Sequence, residues 1–364
     1  MNFKASTKFI KSKIKELEIP YFNIVVCKDG EKVFNYRESK YKDDNDLLTM
    51  YSMTKVITSV AFMQLVEKKM VKITDPVSKY LSGYKNLKLL NGNKVKKEMT
   101  IKHLLTMTAG LDYDHNRPAL VSLLKKTKNP NTIDVCETFA KDGLVSEPGE
   151  KFNYSLCADV VGAIIEKVSK QTFSSYIEEH IFKPCGMKNS TVETNLKLLN
   201  KTVPDVYFKN GKATNIEKIS RLVKLSKNFS SGGASLISTP EDFSKFLNAL
   251  LEGKLISKKS LDLIDFSHIK ETPFCLDVQK YSIASFDYGY GFLVRVRQVE
   301  SPHGMPVGEF GWDGAAGSYC LCDRKNNISI VMGMNIQDWP NYIKDLHVKI
   351  VEQIYDELRS NELI

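Results

Sequence analysis

Apolar positions recur along this chain at two periods, and the places where the period changes divide it. From Phe3 through Ile10 and Ile14 to Leu17 the spacing is roughly that of a helix with one buried face. Phe22-Asn-Ile-Val-Val-Cys27 and Lys32 to Tyr36 then read as strands, and Lys28-Asp29-Gly30-Glu31 supplies a hairpin turn between them. Met53 to Lys68 returns to helical spacing, with Val56, Val60, Met63 and Val66 along one face. Asp75-Pro76 opens a short helical segment through Leu81.

The stretch from Ile101 to Leu199 is mainly helical, punctuated by Pro148-Gly149 and Pro184-Cys185-Gly186. Asp159 to Lys170 and Ser174 to Phe182 are helices within it, and Thr239 to Leu251 is another, capped by Ser238 or Thr239 with Pro240 in its first turn. Tyr290 to Val296, Ser318 to Cys322 and Ile328 to Met334 read as strands, with Asp323 to Asn327 as the last turn. Beyond Pro340, Ile343, Leu346, Ile350 and Ile354 mark a closing amphipathic helix. Strands at both chain ends around a helical middle predict an α+β fold. One sheet domain is built from residues 1–75 and 215–364, and a helical domain from 76–214 is inserted into it.

Composition changes this picture little. A hydrophobic content of 42% and a charged content of 26% are ordinary for a globular protein. The net charge of +9 is spread among 43 acidic residues, and Lys94 to Lys97 is the nearest approach to a basic cluster, so no nucleic-acid partner is expected. No apolar run has transmembrane length, and no membrane insertion is expected. Seven cysteines at irregular spacing do not form a disulfide framework, and the first residues carry no secretory h-region; both favour a cytoplasmic setting. The six histidines are scattered, H-E-x-x-H is missing and Cys320-Leu-Cys322 lacks a partner pair, so neither a metal nor another cofactor is expected. G-x-S-x-G and G-x-G-x-x-G are missing as well.

Ser52-Met53-Thr54-Lys55 is an S-x-x-K tetrapeptide, a pattern this lysine-rich chain contains six times. Only Ser52 stands at the start of a strongly apolar helix that follows a strand-rich segment. Residues three apart share a helix face, so the Lys55 amine can reach the Ser52 hydroxyl. The helix tip adds free N–H groups and a positive dipole end. A serine so placed can lose its proton to a neighbouring amine that burial and positive potential make willing to accept it.

In order along the chain stand Met50-Tyr-Ser-Met-Thr-Lys-Val-Ile-Thr58, Ile73-Thr-Asp-Pro-Val77, Thr100 to Leu111, Glu147-Pro-Gly-Glu-Lys-Phe-Asn-Tyr-Ser155, Ile181 to Met187, Gly232 to Asp242 and Gly311-Trp-Asp-Gly-Ala-Ala-Gly317. This series resembles the serine β-lactamase/penicillin-binding-protein superfamily, in particular the branch holding class C β-lactamases and family VIII esterases. The resemblance runs from about Phe22 to Asn335. It implies a β-lactamase/transpeptidase-like fold, an antiparallel sheet flanked by terminal helices with an all-helical lobe and the active site between them. It further implies that Ser52 is acylated, with Lys55 and Tyr154 as its proton-handling partners, and that the amides of Ser52 and Ala315 form the oxyanion hole.

Where the family has K-T-G this chain has Trp312-Asp313-Gly314, and where it has Y-x-N this chain has Tyr154-Ser155-Leu156. Trp312 removes a cation that would pair with a lactam carboxylate, Asp313 adds a negative charge, and Leu156 removes an amide that would bind an acylamino group. Gly314 and its small neighbours would let substrate lie along the strand, and Tyr113 and His115 would rim the site. W-x-G is the pattern of family VIII esterases, so hydrolysis of small carboxylic esters is favoured. The alternatives are a β-lactamase or D-amino-acid peptidase acting on lactams or amides, or a ligand sensor that keeps the fold without turnover.

Overall fold

Asp29 and Gly30 both take left-handed backbone angles, φ 54° and 81°, as a two-residue hairpin turn requires. They join β1 (Tyr21–Lys28) to β2 (Glu31–Ser39). The computed structural model describes residues 2–41, 46–193, 196–209, 212–215, 225–269, 288–337 and 344–364. The later strands are β3 (Leu48–Tyr51), β4 (Val206–Lys209), β5 (Lys212–Asn215), β6 (Leu236–Ser238), β7 (Tyr288–Tyr290), β8 (Arg295–Arg297), β9 (Phe310–Asp313), β10 (Tyr319–Asp323) and β11 (Ile328–Met334).

Seven of these form one antiparallel sheet in the order β2-β1-β11-β10-β9-β8-β7. β1 and β11, far apart in sequence, are neighbours within it, with Phe22 opposite Met334 and Lys28 opposite Ile328. Two further pairs, β3 with β6 and β4 with β5, stand apart from it.

The sheet is buried on both faces by different partners. On one lie α1 (Lys4–Glu16) and the C-terminal helix Lys344–Ser360, with Ile10, Ile14, Ile24, Ile330, Ile350 and Ile354 in a common core. The other face, with Phe310, Trp312, Cys320 and Val331, packs into a larger core around α2 (Thr54–Glu67). The expected terminal helices and mixed α+β architecture are therefore present. Helices dominate the middle of the chain: α3 (Ile101–Leu105), α4 (Pro118–Lys126), α5 (Thr132–Cys136), α6 (Cys157–Ser169) and α7 (Phe173–Ile177). Thr239 caps the helix Pro240–Leu251 by accepting from the Asp242 amide.

Two expectations need correction. The apolar face read for α2 is only part of the truth, because every residue from Thr54 to Leu65 is buried; this helix runs through the core, where a one-sided pattern has no function. Tyr290 to Val296 is not one strand. Leu293 takes φ 57°, and the chain doubles back so that Tyr290 pairs with Arg295. Ile343, read as part of the closing helix, lies outside the described residues. Among those residues no helix is long and apolar enough to cross a membrane, and Cys27, Cys136, Cys157, Cys185, Cys320 and Cys322 carry free thiols.

Candidate active site

Ser52 sits where β3 ends and α2 begins. The residue before it, Tyr51, takes the left-handed φ of 46°, a conformation costly for a bulky side chain and sustained only by its surroundings. Those surroundings are specific. The Tyr51 hydroxyl hydrogen-bonds Asp205, and Gln337 Nε2 donates to both groups at 2.7 and 2.8 Å. Burial pushes the Asp205 carboxyl up to about 6. Thr54 Oγ1 donates to the Tyr51 carbonyl at 2.6 Å and accepts from the Leu236 amide at 3.0 Å, tying the turn to β6.

Lys55 follows one helical turn later and is fully buried. Its ammonium donates to Ser52 Oγ at 3.1 Å, to the Gly233 carbonyl at 2.9 Å and to Tyr113 Oη at 3.4 Å. All three partners are oxygens, which matches the three N–H donors of a charged lysine. Tyr154 Oη and Ser52 Oγ share a hydrogen bond of 2.5 Å. Tyr154 precedes α6 on a segment fixed by Asn153, whose amide donates to Met107 O at 2.8 Å and whose side chain donates to Leu111 O at 2.6 Å. Ser52, Lys55 and Tyr154 thus stand within mutual reach.

Aromatic rings wall this trio. Tyr154 lies between Tyr113, stacked at 5.2 Å, and Trp312, stacked at 5.7 Å, and Lys55 Nζ is 4.7 Å from its ring centroid. Tyr113 reaches deeper than a rim residue, since its hydroxyl contacts Lys55; His115 packs edge-on against its outer side at 5.5 Å. Burial above all, with the neighbouring Tyr154 and Asp159 adding to it, holds the Tyr113 phenol well above its ordinary range, so it stays a neutral group.

The third motif is β9 with the turn that follows. Neither the Ser52 nor the Ala315 amide donates a hydrogen bond among the described residues, and Ala315 is exposed. Gly314 brings the two segments together: a β-carbon on it would stand 2.4 Å from the Met50 carbonyl and 2.1 Å from Ser318 Oγ. Its smallness is what this backbone approach requires. The turn is held further by Ser318 Oγ on Met50 O at 3.1 Å, the Ile336 amide on Ala316 O at 2.9 Å and His347 Nε2 on Gly317 O at 2.9 Å. Gly314→Ala is expected to push Ala315 away from Ser52 and lower kcat by about 10²-fold with little change in KM, as loss of one oxyanion donor does. Steady-state kinetics with an activated ester measure this.

Two other expected substrate contacts are not where the sequence suggested. Asp313 turns to the sheet face opposite Trp312 and pairs with Arg295 at 3.2 Å, so its charge is matched within the protein. Leu156 is 2% exposed and belongs to the core under α6. The sequence reading also missed Gly233, whose carbonyl accepts from the Lys55 amine, and Asp159 and Ser231, which hydrogen-bond to one another behind it. Gly232 to Asp242 is legible in the sequence only as a motif, with no signal of what it contacts.

This geometry can be set beside known proteins. Protein flp of Staphylococcus aureus (strain MW2) is 32% identical over 197 residues, which is 52% of this chain but 38% of that protein's length. Among solved structures, EstCE1, a hydrolase with promiscuous acyltransferase activity, superposes with a TM-score of 0.80 at 20% identity, covering 97% of this chain and 99% of its own. The LovD6 mutant of simvastatin synthase from Aspergillus terreus gives a TM-score of 0.79 at 18% identity, covering 98% of each chain. Both likenesses establish the fold, a β-lactamase/transpeptidase-like one. The family model described as Beta-lactamase matches residues 7–352, nearly the whole chain, and the chain belongs to that family.

Proposed function

We propose that this protein is a serine hydrolase that cleaves small carboxylic esters through an acyl-enzyme on Ser52. One observation carries the reading: Ser52 Oγ lies within hydrogen-bonding distance of both Lys55 Nζ and Tyr154 Oη. In this mechanism Tyr154, as phenolate beside the Lys55 ammonium, takes the Ser52 proton while Oγ attacks the ester carbonyl. The amides of Ser52 and Ala315 receive the oxyanion of the tetrahedral intermediate. As the intermediate collapses, the Tyr154 hydroxyl returns the proton to the departing alkoxide and the acyl group stays on Oγ. A water then attacks the acyl carbonyl, gives its proton to Tyr154, and the acid leaves as Oγ is reprotonated.

The preference for esters rests on Trp312. It presents an apolar wall where a cation would be needed to pair with a lactam carboxylate, and the nearby Arg295 is committed to Asp313. EstCE1 and simvastatin synthase, similar in fold, are named for hydrolase, acyltransferase and synthase activities, which fits acyl chemistry on small molecules. The test compares nitrophenyl butyrate, nitrocefin and a D-amino-acid anilide at equal enzyme concentration. The expected kcat/KM for the ester exceeds that for nitrocefin by about 10²-fold or more, in line with a missing charged contact. Faster nitrocefin cleavage would reverse the assignment, and failure of a fluorophosphonate to label Ser52 would remove it.

A further inference from the structure

Asp159 lies on the first turn of α6 and has no exposed surface. Its Oδ1 accepts from Ser231 Oγ and, at 3.4 Å, from the Gly233 amide. Its Oδ2 is buried without a hydrogen-bond partner among the described residues. A buried carboxylate oxygen lacking a donor is costly unless positive charge is close by. The charge is close. A β-carbon placed on Gly233 would stand 3.0 Å from Asp159 Oδ2 and 3.3 Å from Lys55 Nζ, so carboxylate and amine face one another over a glycine with no side chain between them. Their separation is at most about 6 Å, a range over which one charge sets the state of another.

They are also tied to one residue. Gly233 gives the N–H of one peptide group to Asp159 and the carbonyl of the next to Lys55, so the same short segment anchors both side chains. The segment cannot drift: Thr58 Oγ1 donates to Gly232 O at 2.6 Å, and a β-carbon on Gly232 would stand 2.2 Å from Ala158 O. The other titratable groups around Asp159 are Tyr84 and Cys136 from neighbouring helices, Tyr113 from the site and Cys157 on α6 itself. Burial pushes all four upward, so they are neutral. Lys55 is the cation that faces Asp159 among the described residues.

We propose that Asp159 is a positioning residue for this site, an ionised carboxylate that acts across Gly233 to keep the Lys55 amine charged and in place, leaving proton abstraction to Tyr154. It touches neither substrate nor the reacting atoms. The inference rests on the acyl-enzyme reading above and adds to it the group that fixes the charge of the lysine. Removing that negative charge makes the Lys55–Tyr154 pair release its first proton more readily, so the acid limb of the rate profile moves to lower pH.

The test follows fluorophosphonate labelling of Ser52 from pH 5 to pH 9 in the wild type, Asp159→Asn and Ser231→Ala, with thermal transitions measured alongside. Asp159→Asn is expected to label about ten-fold more slowly at its plateau, with its acid limb about one pH unit lower. Ser231→Ala removes a hydroxyl donor that favours the ionised form of Asp159, so part of the carboxylate is protonated at the acid limb and the limb is expected to shift the same way by less. If Asp159→Asn does not fold, the Ser231→Ala limb alone decides. A limb that stays in place or moves upward in the folded variants makes Asp159 a packing residue and overturns the proposal. Wild-type protein that takes no label defeats the acyl-enzyme reading instead.

Discussion

Ser52→Ala is expected to leave the protein folded and to reduce ester turnover by about 10⁴-fold or more, the scale on which removal of a nucleophile acts in serine hydrolases. The side chain is small and partly exposed, and the turn that carries it is held by Tyr51 and Thr54. The thermal transition should therefore move by no more than about 2 °C. Tyr154→Phe removes the 2.5 Å hydrogen bond but keeps the ring between Tyr113 and Trp312. Its loss should reach about 10²- to 10⁴-fold and fall on kcat. Burst kinetics with nitrophenyl butyrate separate the two variants: the alanine shows no burst, and the phenylalanine a slow one. Retained turnover in Ser52→Ala would place the chemistry on another residue.

The second large effect is on stability. Arg295 is 5% exposed, pairs with Asp313 and lies over the rings of Tyr288 and Tyr319 at 4.9 and 5.3 Å. Beside it Arg297 pairs with the buried Glu309 at 2.8 Å. Burial opposes the Arg295 charge, and Tyr319, Asp313, Tyr288 and Glu309 together outweigh it. Burial likewise pushes the Asp313 carboxyl up to about 6, with Arg295 pulling the other way. Arg295→Met leaves Asp313 without its partner and should cost about 3–5 kcal/mol, because a buried charge stripped of its counterpart is worse than no pair at all. Urea unfolding measures it. The double variant Arg295→Met, Asp313→Leu should recover part of the loss, whereas a double-variant loss equal to the sum of the two single losses would mean that the pair is not coupled.

The parts of this site that were legible in the sequence are those where chemistry and local geometry coincide. Ser52 and Lys55 could be placed together because a helix fixes which residues share a face, and the β1–β2 turn could be read because Asp29-Gly30 has one favoured geometry. The series of motifs brought in Tyr154, which no local rule would have joined to Ser52. Reading failed where neighbours in sequence part company in space. Trp312 and Asp313 are consecutive in β9, and alternation sends one to the site and the other to Arg295. Leu156 stands where the family's motif has a substrate-binding amide, and the start of α6 turns it into the core. Asp159 was invisible for a further reason. Its partners come from α2 and from the Ser231–Gly233 turn, far away in the chain, and nothing in its own helix hints at them.

The pairing of β1 with β11 also governs when this protein can begin to work. A chain leaving the ribosome presents Ser52 and Lys55 early, but the strand beside β1 is not made until residue 334, and β9 with the Ala315 amide emerges shortly before it. The β1–β11 pairing can form only after residue 334 has been made, and such distant pairing is slow to form. Nascent chains stalled before β11 should therefore carry the nucleophile and its lysine yet remain inert, with reactivity arriving all at once as β11 docks.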